Sequence, residues 1–205
     1  NTYAGAEAQV AAIADDIAYN NHDIEDGLRA GLFTQADIAD VALVGPMFAE
    51  AGRDYPEAEP SQIMHEAVRR MFGAMVADLL AETGRRLDDA RPASADDVRA
   101  LPAPVAAFSA AMAGNVQSLK AFLEVNMYRH YKLNRMTSKA RRVVRELFAL
   151  FLAEPNCLPT EWRLKAGPAG SEETAILVTD YIAGMTDRFA LDEHRRLFDV
   201  QARTS

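Results

Sequence analysis

Residues 61–84 read SQIMHEAVRRMFGAMVADLLAETG, and their apolar side chains recur at the spacing of an α-helix. The predicted core face of this helix comprises Met64, Val68, Met71, Phe72, Met75, Val76 and Leu79. Apolar residues three or four positions apart form one stripe along a helix, because an α-helix has 3.6 residues per turn. The segment therefore predicts a long helix that begins at Ser61 and ends at Gly84, since glycine commonly follows the last helical turn.

Helical spacing continues on both sides of this segment. Near the N-terminus it predicts a helix from Ala6 to about Asn21 and a short second helix from Ile24 to Leu32. Another helix is predicted after Thr137, with a core face of Met136, Ala140, Val143, Val144, Leu147, Phe148 and Phe151. Alternating runs of β-branched residues are scarce. The predicted fold class is all-α, as a bundle of several helices.

Composition limits the classes of protein to which the chain can belong. Hydrophobic residues make up 49% of it, which is enough to bury a core. The formal net charge of −8 argues against a general nucleic-acid-binding protein, and no stretch approaches the ~18 consecutive apolar residues of a membrane span. A single cysteine, Cys157, excludes an internal disulfide and fits a reducing compartment. We therefore expect a cytoplasmic protein with no membrane or nucleic-acid partner.

The first residues, NTYAG, do not resemble a natural start. They contain no initiator methionine, and a helix with polar residues on one face follows at once. We therefore expect the chain to begin in the middle of a longer protein.

That first helix carries a row of polar side chains. At ~100° per residue, Asp15, Tyr19, Asp23 and Asp26 lie along one side together with His22. Carboxylate, phenol and imidazole groups on one face are suited to holding a metal and a polar substrate. The alternative, which spacing alone favours, is a solvated acidic face with an incidental histidine.

Several strings of residues resemble one family. They read EAQV at 7–10, ADDIAYNNHDIEDGLRAGL at 14–32, NMYRHYKLNRM at 126–136, LPTEWR at 158–163 and DYIAGMTDR at 180–188. In this order they resemble the bacterial dGTPase-like branch of the HD phosphohydrolase superfamily, whose members are helical bundles. The resemblance implies that the chain is the C-terminal part of a deoxynucleoside triphosphate (dNTP) triphosphohydrolase. Residues 1–32 would then be the last metal-ligand helix of the HD domain and the start of the next helix, and residues 33–205 an associated C-terminal helical domain.

The same resemblance implies roles for three residues of the first helix. Such enzymes hold a divalent metal, here expected to be Mg²⁺ or Mn²⁺, with a His, a His-Asp pair and a final Asp, and they hydrolyse a dNTP to a deoxynucleoside and triphosphate. Asp15 matches the final Asp, whereas Tyr19 and Asp23 match residues that pack against the deoxyribose and bond its 3′-hydroxyl. The His22-Asp23 dipeptide is not the metal-binding pair, because that pair precedes the final Asp. Since this sequence lacks the first His and the metal-binding pair, no catalytic residue is assigned and we expect the isolated chain to be inactive.

A basic cluster stands out against the acidic background. Seven cations and no acid occur within residues 129–145: Arg129, Lys132, Arg135, Lys139, Arg141, Arg142 and Arg145. Arginine forms forked, charge-assisted hydrogen bonds with phosphates. Arg129, His130, Lys132 and Arg135, in a predicted loop or helix start, are therefore candidates to bind the triphosphate, by a looser family correspondence than that of Asp15. Lys139, Arg142 and Arg145 fit the solvated face of an amphipathic helix.

A second class of function remains open at this point. The absence of the His and His-Asp ligands favours a non-catalytic helical module for assembly or regulation. In either class we expect a homo-oligomer, and the methionine-rich helix from Met64 to Met75 fits a core or an oligomer interface better than a cofactor site.

Overall fold

The computed structural model of this protein describes residues 2–201, which fold mainly into α-helices. Their bounds are α1 Ala6–Arg29, α2 Val44–Asp54, α3 Pro60–Ala90, α4 Ala95–Ala100, α5 Ala110–Leu123, α6 Tyr131–Ala153, α7 Thr160–Arg163, α8 Glu172–Ala183 and α9 Asp187–Phe198. A π-helical turn, Glu124–Tyr128, follows α5, and a 3₁₀ turn, Pro155–Cys157, follows α6. Residues 2–201 contain no β-strand, so the all-α prediction is confirmed.

The chain divides into two compact units, the first ending at His130 and the second beginning at Tyr131. Helix α1 packs against α3 and α5 within the first unit. The boundary between these units therefore does not coincide with the predicted domain boundary after residue 32. That predicted boundary comes from the way in which the proteins of the resembled family are divided into domains, and it stays a prediction.

Helix α3 is the central element of the first unit, and its methionine stripe is buried as predicted. Met71 and Met75 are inaccessible to solvent, and they pack with Ile17 and Ile24 of α1 in one hydrophobic core. The prediction was wrong for Phe72, which is 45% exposed. One residue along a helix turns by ~100°, so the neighbour of the buried Met71 points away from the core.

Helix α3 is also longer than the sequence predicts. It begins one residue earlier because Pro60 occupies the first helical position, where a missing N–H costs nothing, and Glu59 and Gln62 form a capping box before it. Gly84 does not end the helix, which continues to Ala90. The ion pairs of Glu82 with Arg85 and Arg86 span this glycine, with N–O distances of 2.7 and 2.8 Å.

Helix α1 is continuous from Ala6 to Arg29, and the predicted break after Asn21 was wrong. Asn20 and Asn21 are buried within the helix instead of ending it, at 3% and 2% exposure. The Asn21 amide donates to the Ile17 carbonyl oxygen at 2.8 Å and to Met75 Sδ at 3.4 Å, which ties α1 to α3. The helix ends just before Gly31, whose φ of +58° lies in the left-handed region that favours glycine.

The second unit is built around α6, which packs against α8 and α9. Its buried core comprises Val143, Leu147, Phe151, Leu158, Val178 and Tyr181. Helix α6 begins at Tyr131, six residues before the predicted start at Thr137. Consequently Lys132 and Arg135 lie in its first turns, which is the helix start that the sequence allowed as an alternative to a loop.

None of the helices in the part of the chain that the structure describes is both long and apolar enough to cross a membrane.

Gly45 is a sensitive test of the packing at the start of α2. A Cβ atom on Gly45 would come within 1.9 Å of the Ala39 carbonyl oxygen, and a backbone atom cannot rotate away as a side chain can. We expect Gly45→Ala to lower the free energy of unfolding by about 2 kcal/mol or more, as measured by urea titration. The control is Gly73→Ala, because Gly73 is exposed within α3 and its Cβ would meet nothing within 4 Å. That control should raise stability by up to about 1 kcal/mol, and similar effects of both changes would contradict the packing at Gly45.

Candidate functional site

Helix α1 presents Asp15, Tyr19 and Asp23 along one side, since each lies four residues after the last. Their environments differ sharply. Asp15 is exposed and Tyr19 is 59% exposed, whereas Asp23 is only 7% exposed. Along this side of the helix, the exposed carboxylate of Asp15 is therefore followed by the exposed ring of Tyr19 and then by the buried carboxylate of Asp23.

The buried carboxylate is held from another element of the first unit. Tyr128, the last residue of the π-helical turn, donates a hydrogen bond from its hydroxyl to Asp23 Oδ2. Tyr19 also lies within interaction range of the Tyr128 hydroxyl. Two residues of α1 and one from a turn 105 residues after Asp23 thus form one cluster, which we call the Asp23 cluster and define as Tyr19, Asp23 and Tyr128.

The electrostatics of this cluster follow from burial. Desolvation raises the pKa of Asp23 above the usual aspartate value of 3.8, and the hydrogen bond from Tyr128 opposes this rise. The pKa of Tyr128 is raised by its own burial and by the negative charge of Asp23. The phenol therefore remains protonated at neutral pH and acts as a hydrogen-bond donor to the carboxylate.

His22, by contrast, does not join this cluster. Its side chain is 75% exposed, and its Nδ1 lies 3.9 Å from Glu25 Oε2. Glu25 Oε1 also lies 2.7 Å from the Arg29 guanidinium and 3.1 Å from His65 Nε2 of α3. These polar contacts at the surface link α1 to α3.

Asp15 offers one carboxylate of the kind that Mg²⁺ and Mn²⁺ bind. Among residues 2–201, no group of three or more His, Cys, Asp or Glu side chains is arranged to hold a metal ion. Asp15 alone does not make a metal site, so the residues described here do not complete the one that the family resemblance implies. Its neighbour Asp16 forms an ion pair with Lys120 of α5 at 2.7 Å.

The basic cluster is distributed over both compact units. Arg129 and His130 end the first unit, and Arg129 pairs with Glu124 at 2.8 Å. Lys132 and Arg135 belong to α6 of the second unit, where the Arg135 guanidinium lies 5.6 Å from the centre of the Tyr131 ring. Further along α6, Arg142 pairs with Glu146 at 2.8 Å and is exposed, as the sequence predicts for a solvated helix face.

The sequence alone assigned no role to Tyr128, which lies within the string NMYRHYKLNRM at 126–136. Tyr128 lies 105 residues after Asp23, so no helical spacing relates the two. The π-helical turn that carries Tyr128 has no periodicity signal in a window dominated by α-helical spacing. The run NMYRHY was the available signal, because it places aromatic and basic residues together outside the predicted core.

The chain is similar in sequence to known proteins and to one domain family. Residues 106–196 match the model of a phosphohydrolase-associated domain. The chain is similar to three proteins named deoxyguanosinetriphosphate triphosphohydrolase-like, from Parvibaculum lavamentivorans (55% identity), Caulobacter sp. strain K31 (52%) and Bordetella pertussis (47%). Each match covers 97–98% of this chain. The chain spans about half the length of these curated relatives, at 50–51% of each.

The burial of Asp23 predicts a pH-dependent stability. Because its pKa is raised in the folded protein, Asp23 contributes most to stability at low pH, and this contribution is lost as the pH rises through the folded pKa. Asp23→Asn removes the buried charge but keeps an oxygen that can accept from Tyr128. We therefore expect the melting temperature of Asp23→Asn, relative to that of the unmodified chain, to increase from about pH 4 to about pH 7.

The measurement is thermal unfolding followed by circular dichroism at constant ionic strength. Asp15→Asn controls for the loss of one carboxylate from the same helix, since Asp15 is exposed. If the melting temperature of Asp23→Asn relative to that of the unmodified chain stays constant or decreases as the pH rises, the Asp23 carboxylate is not buried.

Proposed function

Because this chain is homologous along nearly its whole length to deoxyguanosinetriphosphate triphosphohydrolase-like proteins, we propose that it supplies the sugar-binding side of a dNTP triphosphohydrolase. The reaction would be hydrolysis of a dNTP to a deoxynucleoside and triphosphate, with water attacking the α-phosphate. The observation that carries the proposal is the Asp23 cluster, in which a buried carboxylate lies beside an exposed tyrosine ring.

The cluster suits recognition of a deoxyribose. A buried carboxylate is a strong acceptor for a sugar hydroxyl, because few water molecules compete for it. Asp23 would accept the hydrogen bond of the 3′-hydroxyl, and the exposed Tyr19 ring would pack against the sugar. A ring in contact with the sugar leaves little space for a 2′-hydroxyl, which provides a steric basis for preferring deoxyribose to ribose.

Asp15 would act further along the same helix face as one ligand of a divalent metal, Mg²⁺ or Mn²⁺. Its exposed position leaves the carboxylate accessible to such an ion. When bound, the metal would lower the pKa of a water molecule and polarise the phosphoryl oxygen. The other ligands would come from a part of the full-length protein outside these residues.

Four basic residues would neutralise the triphosphate: Arg129, His130, Lys132 and Arg135. The positive charges of Arg129, Lys132 and Arg135 support this role, since a triphosphate carries several negative charges and arginine can bind them in a bidentate manner. Arg129 would first have to exchange its partner Glu124 for a phosphate, because the two side chains form an ion pair. Lys132 and Arg135 stand one turn apart at the start of α6, where backbone N–H groups also favour anions.

The competing function is a non-catalytic module that assembles or regulates other proteins. It is favoured by one observation, that residues 2–201 contain no group of three or more His, Cys, Asp or Glu side chains arranged to hold a metal ion. The two functions differ in a simple measurement. A full-length protein that binds dGTP but releases no triphosphate with Mg²⁺ or Mn²⁺ would support the module.

The proposed role of Asp15 gives a direct test in the full-length protein that the proposal implies. We expect Asp15→Asn to abolish the release of triphosphate from dGTP and to weaken binding of Mn²⁺, because an amide is a poor ligand for a hard cation. Helix content and melting temperature should stay nearly unchanged, since the side chain is exposed. The matched control is Asp16→Asn, which alters a neighbouring exposed carboxylate and should retain activity. Unfolding caused by Asp15→Asn would instead indicate a structural role.

The proposed phosphate contacts give a second test in the same protein. Replacing Lys132 or Arg135 with Ala should raise KM for dGTP, with each lost charge-assisted contact costing about 1.5–3 kcal/mol. The control is Arg142→Ala, whose side chain is exposed and paired with Glu146, and it should cost less than about 0.5 kcal/mol. Equal losses at all three positions would indicate a general field effect, and no loss at any of them would mean that other residues bind the phosphates.

A further inference from the structure

We propose that Tyr128 is the positioning residue of the sugar site: its hydroxyl holds one oxygen of Asp23 and leaves the other to accept the hydrogen bond of a ligand hydroxyl. The identity of that ligand, a deoxynucleotide, rests on the proposed function. The positioning itself rests on the geometry of the first unit, and it can be measured without any ligand.

The contact between Tyr128 and Asp23 involves one of the two carboxylate oxygens. The Tyr128 hydroxyl donates to Oδ2 of Asp23, so this oxygen has a fixed partner while Oδ1 is not engaged by Tyr128. Asp23 is 7% exposed and lies within the continuous helix α1. A carboxylate fixed through one oxygen cannot rotate freely, so its second oxygen points in a defined direction.

The backbone of the π-helical turn positions Tyr128. Helix α5 ends at Leu123, which is fully buried and anchors the chain in the core. The next five residues form the π-helical turn, which is closed by a hydrogen bond of 3.1 Å from the Arg129 N–H to the Glu124 carbonyl oxygen. A π-turn contains one more residue than an α-helical turn, so it changes the direction in which the following side chains point. Such turns occur often at functional sites.

Asp23 and Tyr128 also influence each other's protonation. Asp23 is approached by Tyr128, Asp26 and His22, of which only Tyr128 forms a hydrogen bond with it. Because burial and the charge of Asp23 raise the pKa of Tyr128, the phenol keeps its proton and remains a donor. Without that donor, burial would favour the protonated acid of Asp23, which is a weaker acceptor for a sugar hydroxyl.

A purely structural role for Tyr128 makes a different prediction. If the phenol only filled space between α1 and the π-helical turn, its ring would matter and its hydroxyl would not. Tyr128→Phe keeps the ring and removes the hydroxyl, so it separates the two roles. The matched control is Tyr55→Phe, which removes an exposed hydroxyl elsewhere in the same unit.

The first measurement uses the 205-residue chain without ligand. The titration of the Asp23 side-chain carboxyl carbon is followed by NMR in the unmodified chain and in both variants. We expect Tyr128→Phe to raise the pKa of Asp23, because the hydrogen bond that lowers it is lost, and Tyr55→Phe to leave it unchanged. An unchanged Asp23 titration in Tyr128→Phe would overturn the inference, whatever the protein binds.

The second measurement compares the binding of dGTP and 2′,3′-dideoxyGTP to the full-length protein. Tyr128→Phe should reduce the preference for dGTP roughly ten-fold, the size expected for one weakened hydrogen bond to a charged group, and Tyr55→Phe should not. Asp23→Asn should reduce the same preference, and the double variant should reduce it no further, because both changes act on one contact.

The outcomes separate the inference from the function on which it rests. An unmodified protein that binds both nucleotides equally, or neither, would overturn the proposed sugar site and with it the ligand part of the inference. The NMR titration would still decide whether Tyr128 orients Asp23. An unmodified protein that prefers dGTP, with the same preference in Tyr128→Phe, would assign recognition of the hydroxyl to Asp23 alone and overturn the positioning role.

Discussion

The packing of α1 against α3 is the constraint on which the first unit depends. Met71 and Met75 of α3 fill the space beneath Ile17 and Ile24 of α1, and the Asn21 amide adds a polar contact to Met75. Apolar burial of this kind fixes the rotation of a helix about its own axis, because any other rotation would expose the stripe to water. The direction of every polar side chain on the opposite side of α1 follows from that one packing arrangement.

Much of this arrangement could be predicted from the sequence, and the parts that could not have a common physical cause. The methionine stripe of α3 was predicted because helical spacing identifies a buried face. The break predicted in α1 was wrong because its C-terminal half buries Asn20, Asn21 and Asp23, which a search for apolar periodicity treats as solvent-facing. Two of these side chains have partners on other elements of the fold, since Asn21 donates to Met75 of α3 and Asp23 accepts from Tyr128 of the π-helical turn.

The same reasoning applies to the candidate site. Four-residue spacing was enough to place Asp15, Tyr19 and Asp23 on one side of a helix, since that inference needs only local geometry. It could not show that Asp15 is exposed while Asp23 is buried under Tyr128, because burial depends on residues more than a hundred positions away. For the basic cluster, charge density was visible in the sequence, but the division of the cluster between two compact units was not.

The π-helical turn from Glu124 to Tyr128 makes the Asp23 cluster depend on chain length as well as on side-chain identity. Deleting a single residue within this turn would restore α-helical geometry and rotate Tyr128 away from Asp23, with both residues still present. An insertion there would also change the direction in which Tyr128 points relative to Asp23. Among homologous proteins, an alignment gap at this point would therefore mark a change in the cluster that a comparison of residue identities at aligned positions would overlook.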